Sequence, residues 1–98
     1  MAEESERRDH DETVEIHDED DGTVFRAEAE AGSRVSSVVD RFYKDHLHRD
    51  RRFGDRLGCE ATGDSVFGHL DETIEHYEKT ACLKLVWLFA GDQGGAWA

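Results

Sequence analysis

Polar and apolar residues alternate strictly over two short stretches near the start of the chain. In residues 13–17, Val14 and Ile16 are flanked by Thr13, Glu15 and His17, as a strand with one buried face requires. In residues 23–30, Phe25, Ala27 and Ala29 fall on one side and Val24, Arg26, Glu28 and Glu30 on the other. Between them lies Asp18-Glu19-Asp20-Asp21-Gly22. Its Asp-Gly step is a strong hairpin signal, because glycine enters the positive-φ backbone of a tight turn without steric cost. The expected product is an antiparallel hairpin with one apolar face.

After Ala31-Gly32 the period changes. Val35, Val38, Val39 and Phe42 recur at helical spacing, Arg34, Ser37, Arg41 and Lys44 lie opposite, and Ser33 stands where an N-cap belongs. Leu47 extends the apolar face, but the helix is expected to fray at residues 46–49, where the chain becomes charged. Residues 56–62 predict a short strand weakened by Gly58, residues 65–68 another, and residues 69–78 a short helix through Leu70, Ile74 and Tyr77. Residues 82–89 carry the strongest strand pattern, with Leu83, Leu85, Trp87 and Phe89 on one face and Lys84, Val86 and Leu88 on the other. Both faces are largely apolar, which predicts a central strand. Strands and helices do not alternate regularly, so the expected class is α+β, a single sheet packed on one helix. Its core is expected to rest on Val14, Ile16, Phe25, Val35, Val38, Phe42, Leu83 and Leu85.

Composition narrows the picture. Ninety-eight residues make one domain at most. No apolar run approaches the roughly 18 residues of a membrane span, and no apolar core follows a basic start. No membrane partner is expected, and the location is read as cytoplasmic. The net charge of −12 argues against a basic face for nucleic acid. That charge is uneven: residues 1–30 carry a net −10, residues 34–56 a net +3 and residues 57–98 a net −5. The acidity reads either as a solvated surface or as a docking surface for a basic partner, or as adaptation to a salt-loaded cytosol. Residues 1–12 are expected to be a disordered acidic tail, residues 13–90 the domain, and residues 91–98 a glycine-rich flexible end.

Candidate chemistry is sparse. Cys59 and Cys82 form no CxxC pair and are read as reduced, buried thiols. His46 and His48 are two apart and should point to different sides, while His69 and His76 could share a face but lack a third ligand. No metal and no cofactor are expected. No carboxylate lies beside an evident apolar pocket, and neither Ser36-Ser37 nor the cysteines have a histidine in a recognisable arrangement. No catalytic residue is named and no enzyme active site is expected. The positive cluster Arg49, Arg51, Arg52 and Arg56 is either a solvated loop or a contact for an acidic groove. Lys84, Val86 and Leu88 mark a sheet face that could dock a partner.

The order of these pieces has a familiar form. An acidic hairpin precedes a capped helix, then Asp55-Arg56-Leu57, Gly63, Leu70-Asp71-Glu72-Thr73, the closing Leu83-Lys84-Leu85-Val86-Trp87-Leu88, and finally Gly94-Gly95. Over residues 13–95 this resembles the ubiquitin-like β-grasp family. The resemblance implies a mixed sheet of four to five strands on one helix, and a monomeric protein modifier attached through its terminal glycine. In that family an adenylating enzyme activates the glycine carboxylate, a conjugating enzyme receives it on a thiol, and an amine of a target protein takes it last. The glycine pair suits this because a backbone without Cβ threads a narrow channel and leaves the carboxylate uncrowded.

Two departures stand out. Ala96, Trp97 and Ala98 follow Gly95, so Gly95 carries an amide until a JAB-type or other processing peptidase removes them. Trp97 is either a handle for that peptidase or a cover for apolar surface. Gly58 stands where ubiquitin has part of its exposed apolar patch, which puts ubiquitin-type readers in doubt. A sulfur carrier of the same fold, using a C-terminal thiocarboxylate, is the nearest rival, and a non-covalent interaction module the next.

Overall fold

The structure, a computed structural model, describes residues 11–91. Strands β1 (Asp11–Asp18) and β2 (Thr23–Glu30) pair antiparallel along their whole length, Asp11 opposite Glu30 and Asp18 opposite Thr23. The hairpin is as the alternation predicts, except that β1 takes in Asp11 and Glu12 from the expected tail. Gly22 at the turn has φ of 76°, the conformation for which the Asp-Gly step was singled out. Val14, Ile16, Ala27 and Ala29 face the core.

Helix α1 (Val35–Arg41) buries Val35, Val38 and Val39. Ser33 does not cap it. Arg34 occupies the cap position in an extended conformation with no side-chain bond. Its leading N–H groups go instead to a neighbouring segment: Val35 donates to the Glu72 carbonyl at 2.8 Å and Ser36 to that of Leu70 at 3.0 Å. The favour is returned at the start of α2 (Ile74–Thr80), where Ile74 donates to the Ser33 carbonyl and Glu75 to that of Ala31. Thr73 adds a side-chain cap to the His76 N–H. Two short helices thus satisfy each other's open ends, a tertiary solution that a local cap rule misses.

Beyond Arg41 the helix does not fray but widens into a π-helical turn, Phe42–Leu47, ending at His48 with φ of 58°. Strand β3 (Arg56–Cys59) is shorter than expected. Residues 65–68 are not a strand: Val66–His69 is a 3-10 turn, with a single bridge from Ser65 to Gly58. Strand β4 (Val86–Ala90) completes the sheet in the order β2-β1-β4-β3. It runs parallel to β1 and antiparallel to β3, so it is central, as its two apolar faces require. The result is an α+β domain in which one face of a four-stranded mixed sheet is covered by the helices. Phe42, Tyr77, Trp87 and Phe89 are among its largest fully buried side chains.

Two expectations are corrected. Cys59 and Cys82 are not free thiols but a disulfide, their Cα atoms 5.8 Å apart. The pairing of β3 with β4 brings the approach to β4 alongside Cys59, a proximity that a spacing of 23 positions does not reveal. A disulfide is commoner in oxidising compartments than in a reducing cytosol, which weighs against the expected cytoplasmic location. Leu83 is not a core residue: it is 77% exposed, because the strand begins three residues after it. The other expected core residues are buried or, for Phe25, packed against the core.

Candidate functional site

Strand β4 delivers the chain at Gly91 into a corner formed by the β1–β2 turn and the end of the π-helical turn. Glu19 donates its N–H to the Phe89 carbonyl at 2.9 Å, and the Asp20 carboxylate accepts the Gly91 N–H at 2.8 Å. A Cβ on Gly91 would stand 2.7 Å from Asp20 Oδ2 and 3.1 Å from Arg49 Nη2. Only glycine lets the backbone leave by this route without displacing that pair.

Arg49 is fixed from behind. Its Nη1 and Nη2 each lie 3.0 Å from a different oxygen of Asp55, a two-point contact. The Asp55 side chain is fully buried and also accepts from the Tyr43 hydroxyl at 2.7 Å and the Arg52 N–H at 2.8 Å. Burial, then the bond to Asp55, pushes the Tyr43 hydroxyl well above its ordinary pKa. The same carboxylate holds Arg49 even more firmly protonated than usual. The guanidinium also lies over the rings of Tyr43 and Phe89.

The arginines of the positive cluster therefore differ in kind. Arg49 is a structural tie. Arg51 lies 3.7 Å over the Phe67 ring, a cation–π contact. Arg52 contributes its backbone N–H to Asp55 and leaves its side chain at the surface. A cleft of about 540 Å³ beside them is lined by cations (Lys44, Arg49 and Arg51) and by Asp40 and Asp50, over an apolar floor that includes Leu70. Phe53 stands fully exposed beyond it.

The outer face of the sheet carries the second group of candidates. Lys84 is exposed, while Val86 and Leu88 are half-buried. One row across the strands reads Gly58, Leu88, His17, Val24, and the next places Val86 beside Glu15 and Arg26. Glu15 contacts Arg26 at 3.0 Å and His17 at 3.3 Å, and the arginine chiefly holds its carboxyl below the usual range. A Cβ on Gly58 would meet the Asp64 carbonyl oxygen at 3.1 Å, so the β3 edge of this face carries no side chain there.

The fold also gives several polar groups partners that their sequence spacing does not announce. Asp18, expected on a solvated acidic tip, is 4% exposed, and Asp55 is 6% exposed. Asp18, Asp21 and His46 bring one donor atom each to within 4.8 Å of one another. His69 is held between Asp64 at 2.8 Å and Glu72 at 2.7 Å, and the Tyr77 hydroxyl donates to Asp64 at 3.2 Å. The Glu72 hydrogen bond, more than the charge of Asp64, raises the His69 pKa. No local signal marks these groups, because Asp18 and His46 lie 28 positions apart.

Gly94, Gly95, Ala96, Trp97 and Ala98 lie outside the described residues, as do residues 1–10 of the expected acidic tail. Among the described residues no helix is long and apolar enough to cross a membrane. No protein family, curated protein or solved structure matches the chain.

Proposed function

We propose that the chain is a ubiquitin-like β-grasp modifier, made as a precursor, cut after Gly95 and joined to target proteins through that residue. The observation that carries this reading is topological. The last strand is central, it lies parallel to the first, and it releases the chain at Gly91 with Gly94-Gly95 three residues on. A sheet-anchored strand then delivers the chain as far as Gly91 at a defined place, which supports the positioning that acyl activation needs. The sheet order β2-β1-β4-β3, with a helix crossing between hairpin and closing pair, supports the β-grasp assignment.

The chemistry belongs to partner enzymes. A peptidase hydrolyses the Gly95–Ala96 bond and frees the carboxylate, with Ala96, Trp97 and Ala98 leaving as a peptide. A carboxylate oxygen of Gly95 attacks the α-phosphorus of ATP and pyrophosphate departs. A thiolate displaces AMP to give a thioester, and a target amine displaces the thiol to give an amide. This chain supplies the shaped handle and the electrophilic carbon. The corner at Asp20, Arg49 and Gly91, with Arg51, Arg52 and the cleft beside them, is the surface nearest the handle for those enzymes. Lys84, Val86 and Leu88 offer a second face for readers of the attached protein.

The test is ATP–pyrophosphate exchange with chain ending at Gly95 and adenylating enzymes from the same cell, beside intact-mass analysis of the natural protein. Exchange that requires the free Gly95 end, and a natural pool ending there, are the expected results. No exchange, with a pool that retains Ala96, overturns the reading. A terminus heavier by the exchange of oxygen for sulfur reassigns the chain as a sulfur carrier.

A further inference from the structure

The geometry points to a divalent transition-metal site at the hairpin tip, formed by Asp18, Asp21 and His46. Its three donors come from the end of β1, the β1–β2 turn and the π-helical turn, and they are an imidazole nitrogen and two carboxylates. The donor atoms all lie within 4.8 Å of one another. Of these, His46 Nε2 is 3.2 Å from Asp18 Oδ2. Two ligands about 2.1 Å from one zinc-type ion, at octahedral or tetrahedral angles, stand about 3.0–3.4 Å apart. That pair already has the spacing of neighbouring ligands, and Asp21, on the exposed turn, brings a carboxylate oxygen within 4.8 Å of both.

The imidazole is held in place before any ion arrives. Its ring stacks on Phe42, with centroids 5.2 Å apart and planes 13° from parallel, and it packs against Phe25 at 5.8 Å. These contacts aim Nε2 at Asp18. The widened turn is what directs the ring there, because a π-helical register rotates the residues that follow Phe42 relative to α1.

Asp18 supplies the electrostatic argument. Its side chain is 4% exposed, and His46 is the basic side chain it contacts. A buried carboxylate needs a compensating charge. Unlike Asp55, which has Arg49, Asp18 meets a group that is charged only when protonated. Each carboxylate also accepts a backbone N–H, Asp18 from Asp20 at 3.0 Å and Asp21 from Thr23 at 2.9 Å, which fixes its orientation. Thr23 Oγ1 gives its proton to Asp21 Oδ1 at 2.6 Å and lies 2.9 Å from His46 Nε2. One imidazole nitrogen therefore faces two oxygen atoms and can donate to at most one of them fully. A cation here would bridge the imidazole and the two carboxylates, with Thr23 Oγ1 as an auxiliary oxygen. An imidazole in the donor set favours zinc-like ions over magnesium or calcium.

Zinc titrated by calorimetry into the full chain tests the site, with imidazole resonances followed by NMR. The expected result is one saturable site that shifts the His46 ring signals first and raises the melting temperature. Asp21→Asn and His46→Gln should each weaken binding by about tenfold or more, whereas His69→Gln leaves it unchanged. Asp18→Asn replaces a buried group, so its circular dichroism is compared first; the Asp21 variant, at an exposed position, keeps the test valid if that protein unfolds. Unchanged affinity in both Asp21→Asn and His46→Gln overturns the assignment, and so does equal stabilisation by magnesium. None of these outcomes depends on whether Gly95 is ever activated.

Discussion

Strand β4 is fastened at both ends, by different means. At its start, the Cys59–Cys82 bond ties the approaching chain to β3. At its finish, the Asp20 carboxylate accepts the Gly91 N–H, and Arg49, itself held by Asp55, lies over the Phe89 ring. The covalent tie is indifferent to salt and pH but yields to thiols. The ionic tie ignores thiols but fails once one partner is lost, because a buried charge without its partner costs several kcal/mol. The contrast teaches where a small domain of this kind keeps its adjustable chemistry. The cleft beside Arg49 and the exit of the chain at Gly91 share the ionic end.

The sharpest way to break this contrast is Asp55→Ala. It strips Arg49, Tyr43 and the Arg52 N–H of their common acceptor, and a loss of about 3–5 kcal/mol is expected in urea unfolding. Next comes reduction of Cys59–Cys82, or the paired Cys→Ala change, which should cost about 3 kcal/mol by freeing a loop of this length in the unfolded chain. Its cost should not vary with salt. Asp20→Ala removes one bond to Gly91, for about 1 kcal/mol, and should speed amide exchange at Gly91 more than it lowers the melting temperature.

The smallest expected effect is a pH slope at His69. Glu72 and Asp64 raise its folded pKa, so its stabilisation is fully present below the unfolded value of about 6.5. That stabilisation is lost as pH rises through the folded value. The urea midpoint of the wild type should therefore decline from about pH 6.5 upward, and His69→Gln should flatten that part of the profile.

How much of this was legible beforehand depended on range. The hairpin, the α1 face through Val35, Val38 and Phe42, and the central place of β4 follow from periodicity, since each depends on residues a few positions apart. The start of β4 was misplaced because Leu83 continues the alternation, while the disulfide at Cys82 sets where the chain can join the sheet. The disulfide itself, the burial of Asp18, the tie of Arg49 to Asp55 and the meeting of His46 with Asp18 depend on how distant segments pack. Arg49 was noticed for its charge, but the fold gives it a structural task and leaves Arg51 and Arg52 nearer the surface.

The parallel pairing of β1 with β4 has a consequence for biosynthesis. A ribosome delivers the hairpin first, with the β1 edge that will later take β4 still bare. Nothing local can cover that edge, and its partner, centred on Trp87, emerges some seventy positions later. Until then the nascent hairpin offers an open, one-sided template to any extended peptide nearby. Its crowd of acidic side chains, repelling other copies of itself during that wait, is well placed to guard it.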